Sequence, residues 1–514
     1  MESSLVPHLA RVFAAPESSH RWHSLHQALS ENGDNPGYAE LMAKLETYCA
    51  PNLESRFLHA TCLHTITSRP EYLRAAADAA KQIVPMRIER IHALLLHAWS
   101  HALTFCPTRD NFSAVFAAID APELLALVSR ELETYADNQL RRRPIEKLRR
   151  VAVLAPDVRS GDHAPTAMAV KQVSLLQGAG IEAELFAMQE QEFAAMPLFL
   201  GADKGLKTGS LNTDSWLPLI RGSLKWHLAN PQSSLFQRWR WTLAELDAFD
   251  PDVVLFVGFH SPLPYLISRR RPQAAISIHT VPPIIPTDVW LAPDPKMTGA
   301  WRSPWSEAFP PAFAQSHPFR VIVKPAGRSL SRSELKLPAN AILLLSIGDR
   351  LTAEISQPWS ALMSDFLVRH PTVHWLMVGG VGTLPPALLG GSTERIWLLP
   401  HQSDVRSVCR CCDIFVNPRR MGGGFSVAAA MAEGLAIVAY GDSDGGDKLG
   451  ELASTNDAAY FATLEALVRE PQLRQARGAA LKRRFFEELD IEHGTSTLVA
   501  GCEKAIAGFN QRIA

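Results

Sequence analysis

The sequence predicts two α/β domains, each built on a parallel sheet with covered faces, behind an all-α domain. Three observations point there. Short continuous apolar runs alternate with amphipathic helical stretches from about residue 150. The same alternation restarts near residue 340. Before residue 140 the apolar residues instead recur at i, i+3, i+4 and i+7, as in "EYLRAAADAAKQIV" and "MRIERIHALLLHAWSHAL", with no alternating β-branched run.

The elements follow in order. "LRRRPIEKLRR", Leu140 to Arg150, holds six basic residues and one acid around a proline. It reads as a solvated linker or helix end, or as a patch for an acidic lipid or acidic acceptor. "RVAVLAPDV" is a buried strand, "RSGDHAPT" a loop, "AMAVKQVSLLQGAG" a helix that stops at glycine, and "IEAELFAM" a second strand. "PDVVLFVGF", a helix through "LPYLISRR", and "AAISIHTV" extend this first series. In the second series "AILLLSIGD", "VHWLMVGG", "ERIWLLP", "DIFVNP" and "LAIVAYG" are strands, with helices at "SALMSDFLVRHP", "QSDVRSVCRCC" and "FSVAAAMAE". The boundaries are 1–145 for the helical domain, 146–330 for the first Rossmann-like domain and 331–514 for the second with its C-terminal helices. Open α/β sheets hold ligands at the carboxyl ends of their strands, so two of them face to face make a cleft.

Composition narrows the function. The chain has 514 residues, 47% hydrophobic and 20% charged, with a formal net charge of -1. That balance excludes the strong basic excess of a nucleic-acid binder. The start, "MESSLVPHLA", shows no signal-peptide pattern, and no run approaches 18 apolar residues, so no transmembrane helix is expected. Seven scattered cysteines fit a reducing compartment. Cys409 and Cys412 form a lone C-x-x-C pair, read as packed thiols before "DIFVNP".

The stretch "NPRRMGGGFSVAAAMAEG", Asn417 to Gly434, carries the chemistry. Three glycines stand where a strand turns into an apolar helix. A helix N-terminus offers free N–H groups and roughly half a positive charge, and glycine lets a diphosphate approach the backbone. Gly422, Gly423 and Gly424, with Phe425 and Ser426 in the first helical turn, are therefore candidate donor-binding residues.

In order and spacing, "LKLPANAILLLSIGDRL", "HPTVHWLMVGG", "ERIWLLPHQSDVRSVCRCCDIFVNPRR", "GGGFSVAAAMAEGLAIVAYGDSDGG" and "DAAYFATLEALVREPQLRQARGAALKRRF" resemble the nucleotide-sugar domain of the large retaining GT-B glycosyltransferase group. "PDVVLFVGF" and "ISIHTVPP" resemble its acceptor-side domain less specifically. The resemblance implies a metal-independent transfer, with retention, from a nucleotide-sugar, UDP favoured, to a hydroxyl of a protein or of a glycan or lipid carrier. It needs no cofactor beyond the donor. It implies His279 at the reaction centre, Arg350 and a replacement lysine, Lys324, or Arg328, at the phosphates. It also implies donor or acceptor contacts from Gly161, Asp162 and His163, and from the glycine pair Gly445 and Gly446. His260 is a weaker candidate.

The sequence departs from the group where acids are expected. Met421 precedes the glycines and Ala429 lies eight positions later, and neither side chain can accept from a sugar or ribose hydroxyl. Glu433 is displaced around the helix, and Glu354 stands near the expected lysine. Asp442 and Asp444 form a D-x-D, read as a solvated loop rather than a metal pair. Two further readings stay open: a non-catalytic binding or scaffold protein, and a sugar-nucleotide epimerase, which would need an acid/base carboxylate set that no motif supplies. The expected compartment is the cytoplasm, with peripheral attachment at the inner membrane face open. The oligomeric state is not legible.

Overall fold

The computed structural model describes residues 6–514 apart from 17, 19, 20, 23, 26, 27, 30–37, 84–87, 137, 138, 161, 162, 192–212, 221, 222, 294–303, 310–312, 324–326, 329, 380–383 and 390–392. Gly161, Asp162 and Lys324 therefore lie outside the described residues.

The first sheet has seven parallel strands: β1 Arg150–Ala155, β2 Glu182–Ala187, β3 Trp226–Leu228, β4 Val253–Gly258, β5 Gln273–Ser277, β6 Val289–Ala292 and β7 Phe313–Ser316, in the order β3-β2-β1-β4-β5-β6-β7. The second has five parallel strands: β8 Ile342–Gly348, β9 Val373–Gly379, β10 Ile396–Pro400, β11 Ile414–Val416 and β12 Ala436–Val438, in the order β10-β9-β8-β11-β12. The strand order reverses between β1 and β4, and again between β8 and β11. Those reversals open the crevices where such sheets bind ligands.

The front of the chain is helical in its described residues, as its 3.6-residue period predicts, from Val6–Ala14 to Ala121–Glu133. It is not a detached module. Its apolar faces share one core with Ala152, Leu154, Val254 and Phe256 of the first sheet, and with Met421 of the second domain. The opposite face of the first sheet packs against the Ala164–Gly178 helix and the last helix, Thr495–Ile513. This last helix, expected with the second domain, instead crosses back. Leu498 and Cys502 enter the first sheet's core, Asn510 bonds the backbone of Ile145 on both sides, and Arg512 pairs with Asp288 at 2.6 Å.

The basic stretch at 140–150 is pinned to the first domain rather than free. Arg143 and Arg150 both reach Asp250, at 3.1 and 2.9 Å, and Asp252 accepts from the amides of Arg149 and Arg150. The described cysteines are all free thiols, and Cys409 and Cys412 are buried. Among the described residues no single helix is long and apolar enough to cross a membrane.

Leu498→Ala removes a buried side chain from the returning helix and should cost about 2–5 kcal/mol. Hydrogen exchange should then quicken in β4 to β6. Unchanged exchange there would contradict the cross-back packing.

Candidate functional site

The glycine turn follows β11, at the crevice beside β8. Gly423 takes φ +98°, a left-handed conformation that glycine adopts at no steric cost. A Cβ there would lie 2.5 Å from Asn417 Oδ1 and 2.7 Å from Arg420 Nη2. The helix Gly424–Glu433 starts behind it, and no side chain caps its first turn. Its N-terminal N–H groups are thus the orphan donors that an anion can satisfy.

Buried charges shape this turn. Arg420 is 3% exposed; it donates to Asn417 Oδ1 at 2.9 Å, to the Ile347 carbonyl at 2.7 Å and to Glu354 Oε2 at 3.0 Å. Glu354 accepts from Arg350 on its other oxygen, also at 3.0 Å. The position where a lysine was expected therefore holds a carboxylate that secures two arginines. Arg350 remains largely exposed, and its Nη2 lies 3.9 Å from where a Gly422 Cβ would sit. Arg328, the other cation considered, is an exposed partner of Glu334.

Lys448, which no motif singled out, supplies a second cation. Its Nζ would be 3.0 Å from a Gly424 Cβ, and it donates to the Asp444 carbonyl and to Asp447 Oδ1 at 3.0 Å. The signal was available in the sequence, two residues past the glycine pair. Gly445 and Gly446 are glycines for want of space. A Gly446 Cβ would fall 1.7 Å from the Tyr440 carbonyl oxygen, and a Gly445 Cβ 2.7 Å from Asn417 Nδ2. Phe425 packs against the cores of both α/β domains, and Ser426 Oγ reaches the Ile347 carbonyl at 3.4 Å. Glu433 is held by Arg406 and Arg410.

The D-x-D does not converge. Asp442 pairs with Arg419 at 2.9 Å. Asp444 is no solvated loop residue: it accepts from the Thr280 amide at 3.0 Å and from His279 Nδ1 at 3.3 Å, across the interdomain cleft. His279 Nε2 in turn accepts from the Trp99 indole at 2.8 Å. One imidazole thus ties the helical domain, the first sheet and the second domain together, with both nitrogens engaged. Arg109 N also donates to the Asp442 carbonyl at 3.3 Å, a further helical-domain contact. His163 is half-buried at the start of the Ala164–Gly178 helix. Its Nδ1 shares a hydrogen bond with Thr166 Oγ1 at 2.7 Å, and burial beside Arg159 pushes its pKa down to about 3, so it is neutral.

Met421 is fully buried in the core shared with the helical domain. The position expected to be acidic has become an interdomain packing residue. Ala429 is buried on the helix. Among the described residues no group of three His, Cys, Asp or Glu side chains is placed to hold a metal.

No family model matches the sequence, and no curated protein matches it. Solved structures do resemble it. A mutant O-GlcNAc transferase from Thermobaculum terrenum aligns over 100% of both chains at 15% identity, with a TM-score of 0.52. The chain has the GT-B fold. A putative UDP-N-acetylglucosamine 2-epimerase from Listeria monocytogenes aligns over 70% of this GT-B chain and 97% of its own at 12% identity, with a TM-score of 0.43.

Asp444 gives a signed expectation. Burial alone would raise its pKa, but the hydrogen bond from His279, with the Lys448 cation and the Thr280 amide, outweighs it and holds the carboxyl below its ordinary 3.8. The contact is thus fully present above that value and is lost as pH falls through the depressed one. Asp444→Ala leaves two buried donors unmet and should cost about 1–3 kcal/mol. Exchange of the Thr280 amide should quicken at neutral pH; unaltered exchange would contradict the latch.

Proposed function

We propose that this chain is a glycosyltransferase that moves a sugar from a nucleotide-sugar to an acceptor hydroxyl. The observation that carries the reading is the glycine turn at the β8/β11 crevice, with an uncapped helix N-terminus behind it and the cations of Arg350 and Lys448 beside it. Such a turn can take a diphosphate. In the reaction the bond from the anomeric carbon to the phosphate oxygen breaks with its electron pair staying on the phosphate, the acceptor oxygen bonds the anomeric carbon, and the acceptor's proton passes to the departing phosphate. Preorganised N–H groups and cations lower the energy of that developing charge. The sugar passes through an oxocarbenium-like state.

UDP as the nucleotide, retention at the anomeric carbon, and a protein or a glycan or lipid carrier as acceptor follow the family resemblance. The proposal needs no metal, since backbone and side chains oppose the diphosphate charge. His279 enters as a positioning residue, because both its ring nitrogens are bonded. Met421 in the core favours a second reading, a GT-B binding protein that has lost its reaction.

Calorimetric titration with UDP and GDP tests the donor site, with UDP expected to bind. Binding of neither would sink both enzyme readings. Products from several UDP-sugars then separate the rest: UDP with transferred or free sugar for a transferase, an inverted UDP-sugar for an epimerase, neither for a binding protein. Gly422→Asp is the informative variant. A Gly422 Cβ would meet only ordinary contacts, Arg350 Nη2 and Glu354 Oε1 both at 3.9 Å, whereas a side chain at Gly423 would be crowded and held at a left-handed φ, so Gly422→Asp adds negative charge to the cradle with the turn kept. UDP affinity should fall at least about tenfold, about 1.4 kcal/mol. Unchanged affinity would refute the phosphate site.

A further inference from the structure

A cavity of about 20 Å³ lies at the carboxyl ends of β1, β2, β4 and β5, under the helix Ile88–Phe105. His92 and Trp99 from that helix, Glu190 after β2 and His260 after β4 are among its lining. It sits at the first sheet's own reversal point, where open α/β sheets bind ligands. None of these residues belongs to the glycine-turn site.

Two of the lining side chains are buried with unmet polar atoms. Glu190 is 1% exposed; its Oε1 accepts from Trp239 Nε1 at 2.6 Å and from Ser261 Oγ at 2.7 Å, while Oε2 has no protein partner. His260 is 5% exposed, and neither ring nitrogen has a protein partner. Leaving such buried groups unmet is unfavourable, so each favours a polar occupant. Burial, with Asp157 nearby, pushes the Glu190 pKa up to about 8, so at neutral pH its carboxyl keeps a proton, on the oxygen that is not already accepting. Burial next to His92 and His279 pushes His260 down to about 3, leaving it neutral with one donor and one acceptor nitrogen.

The lining therefore presents hydrogen-bonding groups of both kinds and no net charge. A phosphate, carboxylate or ammonium would be desolvated there without an opposing charge. The volume fits a single water or hydroxyl. We propose that this cavity is a hydroxyl subsite, taking one uncharged O–H between Glu190 and His260, from the acceptor alcohol or from solvent water. The acceptor half of this statement rests on the transferase reading; the hydroxyl site itself does not.

The test uses the full chain in two arms. Difference infrared spectroscopy without nucleotide reads the C=O stretch of a protonated carboxyl. The band is expected in the wild type, absent in Glu190→Gln, and shifted by methanol as the probe alcohol. His260→Ala should keep the band and lose the methanol shift. No band, or one that methanol leaves in place, overturns the subsite. In the second arm the protein turns over UDP-sugars in aqueous methanol, and NMR separates methyl glycoside from free sugar. Wild type should form more methyl glycoside than the methanol content predicts. Glu190→Gln and His260→Asn, checked for folding by circular dichroism, should lower the methanolysis-to-hydrolysis ratio at least about tenfold with UDP affinity unchanged. An unchanged ratio, or equal loss of both products, overturns the acceptor as occupant. Absence of all turnover in a wild type that shows the infrared shift defeats the transferase reading and leaves the hydroxyl site standing.

Discussion

The crevice at the glycine turn depends on one buried ion pair, Arg420 with Glu354, both nearly inaccessible. Removing one member of such a pair strands the other charge and costs about 3–5 kcal/mol. Here the pair also sets shape. Arg420 and Asn417 close the space behind Gly423, which leaves no room for a side chain on this left-handed residue. Glu354 at the same time orients Arg350 from below, leaving its far end near Gly422. The backbone N–H groups and the cation are thus placed by one network. A diphosphate site can be preorganised this way without the acids the family resemblance leads one to expect.

The second constraint is how the three parts are joined. The helical domain supplies a layer of the first sheet's core, and through Met421 it also touches the glycine turn. The Trp99–His279–Asp444 chain of hydrogen bonds runs along the same seam. Residues that resemble catalytic positions in sequence are spent on holding the domains together. That arrangement makes the helical domain part of the cleft wall, and it gives the Ile88–Phe105 helix a direct say in what reaches the strand ends of the first sheet.

Legibility followed physics. Four strands of the second sheet, β8, β9, β11 and β12, are readable as apolar runs because a parallel sheet covered on both faces needs them, and the half-exposed edge strand β10 reads the same way from its own apolar residues. In the first sheet β1, β2, β4 and β5 are readable for the same reason. The strands β3, β6 and β7 are three or four residues long and lie at or next to the sheet's edges, too short to declare a period. The glycine turn is legible because its spacing is local. The pairing of Arg420 with Glu354 spans 66 residues, and that of Asp444 with His279 spans 165, so neither shows in any window of sequence. Glu190 stands in "MQEQEF", where nothing distinguishes it from a solvated acid. The return of the last helix to the first domain likewise depends on contacts that no local pattern encodes.

The most direct test of the central claim is a crystal structure of the full chain with bound UDP. The account predicts the diphosphate on the N–H groups of the Gly422–Gly424 turn, within reach of Arg350 and Lys448. A diphosphate held elsewhere in the cleft, with the glycine turn untouched, would contradict it.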